Sequence, residues 1–362
     1  MGKCRFIYDN FITAESMITV SSLRSGMVTA ALKAGTGSAI LSVGGNYSGT
    51  TDLEYIVEID SIAGGAEVGQ ATFKWSDGSG GWNASGVTTS ASLTLLNNGV
   101  YIAFASGTGA DFVVGDKWYF KGINLFNAGK MLDLDRDSRY RSAALGAPNT
   151  IILDLGEEQE VDTIVLQDHN LTSAVTISVD ADSAATFDSG IAGAPEFSEN
   201  MTWYTEKIIH YLTAAQTYRH WKINITDAAN PDGYIEIGEL LVGEYMELSR
   251  TFNRTPSRPQ ELIYTRQETS AGIRRHRYYN ARRNLNYNFR FLTAGDMALL
   301  EAMMAALNDK SAGTMKPFWF NEDSGSPSNS WLVNMYNLNR EFSEASGFYH
   351  CPMELEEVIA ND

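Results

Sequence analysis

Apolar and polar side chains alternate at every second position in run after run of this chain, and each run is short. Leu285, Tyr287, Phe289 and Phe291 alternate with Asn286, Asn288 and Arg290, and Ala71-Thr72-Phe73-Lys74-Trp75-Ser76 follows the same pattern. A period of two turns one face of a strand to a core and the other to water. Turn pairs such as Asp77-Gly78, Gly80-Gly81 and Asn98-Gly99 interrupt the runs. A chain patterned in this way buries its apolar faces by stacking sheets, so the fold class is mainly β. One stretch departs from it. Thr293-Ala294-Gly295-Asp296 reads as a capping-box start, and Met297, Leu300, Met304 and Leu307 follow at helical spacing. A single helix is expected over about 293–309.

At 362 residues the chain exceeds the usual size of one hydrophobic core, so several domains are expected. No run of about 18 apolar residues occurs, which argues against membrane insertion, and no secretory signal is read at the start. Cys4 and Cys351 are too few for a disulfide scaffold or a four-cysteine zinc site. They are expected as free structural thiols, with an end-to-end bridge as the alternative.

The net charge of −17 argues against specific nucleic-acid binding by the whole molecule. Its distribution is uneven. Residues 250–290 hold ten arginines against Glu261 and Glu268, whereas residues 291–362 hold 3 basic and 11 acidic positions. Such complementary stretches suit a subunit whose basic face meets the acidic face of its neighbour; two solvated faces of one domain are the alternative. Arg274, Arg275, Arg277, Arg282 and Arg283 are the candidate interface residues. Tyr278 and Tyr279 lie among them, a mix that also occurs in nucleic-acid sites, but the acidic remainder would repel phosphate.

Three blocks follow one another. Residues 35–49 read as a Gly/Ser-rich connector. Residues 45–122 then carry five or more short strand patterns, with Tyr47 to Ile59, Ala71 to Ser76, and Phe112 to Phe120 the most distinctive. This block resembles a small β-sandwich module of phage baseplate and tail proteins. Residues 123–246 contain Ile152-Leu153-Asp154-Leu155-Gly156, Val161-Asp162-Thr163-Ile164, Ile177-Ser178-Val179-Asp180, Tyr218-Arg219-His220-Trp221-Lys222-Ile223 and Ile235-Glu236-Ile237-Gly238-Glu239-Leu240. In this order they resemble the discoidin, or coagulation factor 5/8 type C, jelly-roll family. Residues 1–44 are expected to complete that jelly roll, with residues 1–30 giving its first strand and 45–122 inserted into it. Residues 247–362, strands with the one helix, resemble the tail-tube-like fold of phage tail rings, distal tail proteins included.

The five histidines form no HxxxH or HExxH pattern, no G-x-S-x-G is present, and the Gly-rich stretches lack a P-loop lysine. No catalytic residue is assigned, and the chain is expected not to be an enzyme. Asp133, Asp135 and Asp137 begin like an EF-hand loop, but Ser138 and Ala144 stand where the glycine and the final glutamate belong. The discoidin resemblance implies a different use for them, as Ca²⁺ ligands on a loop, against a plain solvated acidic loop; no other cofactor is implied. The same resemblance implies sugar binding at loops on one end of the jelly roll, for which Trp203 and Tyr204, with His169 and Asn170 nearby, are the candidates. Trp203 as a core cap and His169 as an exposed side chain are the plainer alternatives.

Together the resemblances imply a structural component of a phage tail tip or baseplate. It would be made in the host cytoplasm and carried in the virion tail, self-assembled as a ring (a hexamer if it follows distal tail proteins), with its jelly roll attaching other tail proteins or host-surface glycans. A carbohydrate-active enzyme with a glycan-targeting jelly roll, and a head-decoration or fibre protein, are the alternatives.

Overall fold

The computed structural model describes residues 2–146, 148–252, 256–268, 274–309, 314–335, 338, 341–343 and 347–359, without the side chains of 264–268, 274–280, 309, 314 and 343. The protein is mainly β, in antiparallel sheets, with one α-helix among the described residues. Two compact units divide it. The first comprises Met1–Ser21, Gly129–Ser138 and Leu145–Asp362; the second comprises Ser22–Ala128 and Arg139–Ala144.

The first unit is built on two sheets. One, of six strands, runs in the order Phe197–Met201, Thr176–Asp182, Lys207–Thr226, Asn149–Gln167, Glu239–Gly243, and Ile18–Val20 also pairs with Asn149–Gln167. Its two longest strands, Asn149–Gln167 and Lys207–Thr226, pair along most of their length, with register shifts between Asp154 and Gln159 and between Val161 and Thr163. Irregularities of this kind bend a strand and increase its twist. Gly156, at φ 81, occupies a backbone region that side chains disfavour, and it sits inside the first shift. The motifs read from sequence supply the core here: Ile151, Leu153, Ile164, Leu166, Ile177, Val179, Trp221, Ile223 and Ile225 are all buried.

The other sheet has eight strands, ordered Tyr245–Glu247, Arg5–Ile7, Phe318–Asn321, Ser330–Met335, Phe348–Glu357, Arg274–Leu292, Gln260–Glu268, with Glu341–Ser343 against Phe348–Glu357. The helix Ala294–Leu307 has the expected capping box: the Thr293 side chain accepts from the Asp296 amide, and the Asp296 carboxylate accepts from the Thr293 amide. Its buried face is Met297, Leu300, Met303 and Leu307, with Met304 only partly covered. Met303 therefore takes the place assigned to Met304, because the surface packed against a helix decides which of two adjacent methionines is covered. Cys4 and Cys351 are free thiols, both buried in the core cluster beneath this sheet.

The first strand corrects an expectation. Ile18–Val20 does join the jelly-roll sheet, but Arg5–Ile7 lies in the eight-stranded one, between Tyr245–Glu247 and Phe318–Asn321. Phe6 packs on Phe320, ring centroids 5.1 Å apart, while Ile7 belongs to a cluster with Val165, Ile209, Leu241, Trp319 and Leu332. That cluster joins the two sheets, and the Trp319 indole N–H donates to the Gln167 side chain. The sheet of residues 247–362 is thus continuous in packing with the jelly roll and is not a separate body.

The second unit starts earlier than the expected position 45. Met27–Val28 and Leu32–Ala34 pair with Lys117–Ile123, and Ile40–Gly45 pairs with Val100–Ala105. The supposed connector is therefore a loop and a strand of this unit. Asp116 explains the loop: its carboxylate accepts from the Thr36 and Val113 amides, and a Cβ on Gly35 or Gly37 would meet that carboxylate within 2.1 or 2.3 Å. The core is rich in aromatics. Phe104 lies edge-on to Phe112 and Trp118 at 5.2 and 5.5 Å, and Tyr55 stacks on Phe120 at 5.3 Å.

Candidate functional site

One end of the jelly roll is held by a dense set of hydrogen bonds between loops. Asn170 donates to Asp232 and the Tyr234 carbonyl at 2.9 and 3.0 Å and accepts from the Glu236 amide at 2.8 Å. Asp227 accepts from the Thr172 amide and hydroxyl at 2.8 and 2.7 Å. The Trp203 indole N–H donates to the Leu171 carbonyl at 3.0 Å, and His169 Nδ1 accepts from the Leu171 amide at 3.2 Å. Burial holds the His169 imidazole below its ordinary pKa and so in the neutral form. Asn170, Trp203 and His169 thus act as struts. Loops tied in this way present a fixed surface.

Beside these struts the chain is strained. Asp168 and Glu206 both have positive φ, 55° and 68°, and the Asp168 amide donates to the Glu206 carbonyl at 2.6 Å. Strain of this sort persists only where the surroundings over-determine it, and it concentrates at binding sites. Both residues line a cleft of about 560 Å³. Arg136, Gln167, Tyr204 and Lys207 complete the jelly-roll wall, while Arg283, Asn329, Trp331, Leu332 and Glu357 form the wall from the eight-stranded sheet. Of the four sugar-binding candidates, Tyr204 alone lines the cleft; it is half-buried, and its hydroxyl makes no hydrogen bond among the described residues.

The charges in the cleft are mostly matched. Arg136 grips Asp168 through two nitrogens at 2.8 and 2.6 Å and donates to the Val358 carbonyl at 2.9 Å. Arg283 donates to Glu357 at 2.9 Å. Lys207 differs. Its ammonium donates to the Ser330 carbonyl and lies 5.7 Å from the centroid of the Trp331 ring, and burial pulls its pKa down to about 8. Sequence reading missed Lys207 and Trp331, which stand 124 positions apart and show no motif.

The aspartates proposed for calcium do not gather. Asp133 accepts from the Asp135 amide at 3.1 Å and from the Ser138 hydroxyl, and Asp135 accepts from the Asp137 amide at 3.1 Å. These carboxylates cap their own loop. Among the described residues no group of three or more His, Cys, Asp or Glu is placed to hold a metal ion. The residues present do not fit the calcium expectation. Nearby Glu239 is buried with Oε1 lacking a hydrogen-bond partner, and burial, with the charges of Asp133, Asp168 and Asp135, pushes its pKa up to about 9.

The arginine cluster separates into two parts. Arg274, Arg275 and Arg277 lie in the strand Arg274–Leu292, and their side chains fall outside the described residues. Arg282 pairs with Glu356 and, at 2.7 Å, with Glu261; Arg283 pairs with Glu357. For these two the acidic partners expected on a neighbouring subunit belong to the same chain, because Phe348–Glu357 runs beside Arg274–Leu292 in register.

No family model matches the chain, and no curated protein matches it. Among solved structures it is similar to a GH29 fucosidase of Ruminococcus gnavus in complex with fucose, at 18% identity and TM-score 0.27, over 35% of this chain and 24% of that one. It is similar to chitosan-binding module 1 of a chitosanase/glucanase from Paenibacillus sp. IK-5, at 22% identity and TM-score 0.26, over 33% of this chain and 86% of that one. A third similarity is to CpGH89CBM32-6 of Clostridium perfringens, at 12% identity and TM-score 0.24, over 32% and 84%.

Proposed function

We propose that this chain is a non-enzymatic attachment protein that holds a glycan in the cleft between Tyr204 and Trp331. The observation that carries the reading is the cleft itself: an uncommitted tyrosine set on loops immobilised by Asp227 and Asn170, opposite a wall bearing Asn329 and Trp331. Sugar recognition needs an aromatic surface for the C–H face of the ring and a few fixed polar groups for its hydroxyls. The discoidin-like order of motifs in residues 123–246 supports the same reading. Hydrolysis in most glycosidases needs a pair of carboxylates free to exchange protons with the substrate; of the three that line the cleft, Asp168 and Glu357 are engaged by arginines, which leaves Glu206 alone. Glycan-array binding of the purified protein tests this. The wild type should retain at least one glycan, and Tyr204→Ala should weaken it by about tenfold, the size of a lost stacking contact. An empty array, or release of sugar from the bound glycan, would overturn the proposal.

A second reading, a subunit of a phage tail-tip ring, is favoured by a specific observation. The strand Gln260–Glu268 ends the eight-stranded sheet, so its outer edge has no neighbour among the described residues, and the arginine-rich Arg274–Leu292 runs beside its inner edge. Such an edge is a template for a second copy. Mass in solution with negative-stain imaging should then reveal rings, which the triple change of Arg274, Arg275 and Arg277 to Glu disperses. A monomer under all conditions would remove this reading and leave the glycan site intact; trimers would favour a fibre or head-decoration protein.

A further inference from the structure

We propose that the ligand of the cleft is an acidic saccharide whose carboxylate is received by the Lys207 ammonium. The inference rests on the glycan reading and sharpens it to a substrate class. Three cations line the cleft, and two are already matched: Arg136 by Asp168 and the Val358 carbonyl, Arg283 by Glu357. Lys207 makes no ion pair among the described residues. It has one hydrogen bond, to the Ser330 carbonyl, so two of its three donors have no protein acceptor.

The position makes that shortfall costly. The lysine is half-buried beside Trp331, and a partly desolvated ammonium with unmet donors is unfavourable. A carboxylate oxygen supplies both the missing acceptor and the missing charge, which a neutral hydroxyl does not, and charge-assisted hydrogen bonds are about twice as strong as neutral ones. The Tyr204 ring and the side chain of Asn329 on the opposite wall leave a sugar ring its apolar and hydroxyl contacts. Glu357 and Glu206 favour the charged lysine and Arg283 and Arg136 oppose it; with Arg136 held by Asp168 and Arg283 by Glu357, Glu206 is the remaining anion of the cleft, and it makes no ion pair with Lys207 among the described residues.

Trisaccharides of galacturonate, glucuronate and mannuronate, each beside its methyl ester, provide the test, with affinity measured calorimetrically at pH 6.5 for the wild type, Lys207→Met and Lys207→Arg. The expected result is that at least one acid binds the wild type about tenfold or more tightly than its ester. Lys207→Met should equalise the affinities for acid and ester, and Lys207→Arg should keep the preference. In the wild type the preference should also fade as pH is raised through 8 to 10, while ester binding stays constant, a result that does not depend on how the variants fold. Equal affinity for acid and ester, a preference that survives Lys207→Met, or binding confined to neutral glycans would overturn the inference and leave the glycan reading standing. An array with no binding at all would overturn both.

Discussion

Glu239 ties the stability of this protein to pH. An unfolded glutamate loses its proton near its ordinary value of 4.5, whereas the buried one keeps it up to about 9. Between those values the folded state binds more protons than the unfolded state, so stability falls as pH rises through that window. Glu239→Gln retains the shape and removes the titration. Thermal unfolding at pH 5, 7 and 9 should show the wild type losing ground to the variant as pH climbs, by at most about 1.4 kcal/mol for each pH unit within that window. Parallel curves would mean that Glu239 is already compensated in the folded protein. At the same scale, the candidate site was half legible. Tyr204 could be named because an aromatic on a loop of a jelly roll is conspicuous. Asn170 and Trp203 were equally conspicuous, but their polar atoms are engaged in holding loops together, which depends on partners such as Asp232 and the Leu171 carbonyl.

Among the elements, the strand Arg5–Ile7 illustrates how little local sequence says about pairing. Three residues carry too short a period to reveal a buried face, and here both faces are buried: Phe6 under the eight-stranded sheet and Ile7 between the sheets. Phe6→Ala would open a cavity beside Phe289, Phe318 and Phe320. Denaturant unfolding should report a loss of about 3–5 kcal/mol; a loss below about 1 kcal/mol would show that the strand contributes little to the sheet. The longer elements were legible for the opposite reason. Within Arg274–Leu292 the alternation of Leu285, Tyr287 and Phe289 was legible, as were two short runs within Asn149–Gln167, though not that the runs form one bent strand, and Thr293 with Asp296 marks the helix start by a local bond that needs no distant partner. The inner limit of the second unit was not legible, since Gly35 and Gly37 look like linker until Asp116, some 80 positions later, is seen against them.

At the scale of the whole molecule, two units with separate cores imply separable stability. Trp118 is buried in the aromatic core of the second unit, and the cleft is lined wholly by the first. Trp118→Ala should lower one calorimetric transition, at a cost of about 3–5 kcal/mol, and leave glycan affinity unchanged. A single transition that shifts as a whole, with affinity falling in parallel, would show that the units unfold as one.

The placement of Arg5–Ile7 also bears on how the chain is made. During translation at about 5–20 residues per second, Phe6 leaves the ribosome roughly a quarter of a minute to a minute before Phe289 does. Its other aromatic neighbours, Phe318 and Phe320, come later still. Until then Phe6 lacks its ring neighbours, although Tyr245–Glu247, which pairs with its strand, has already emerged, so this side of the core closes only once residues 318–321 are made.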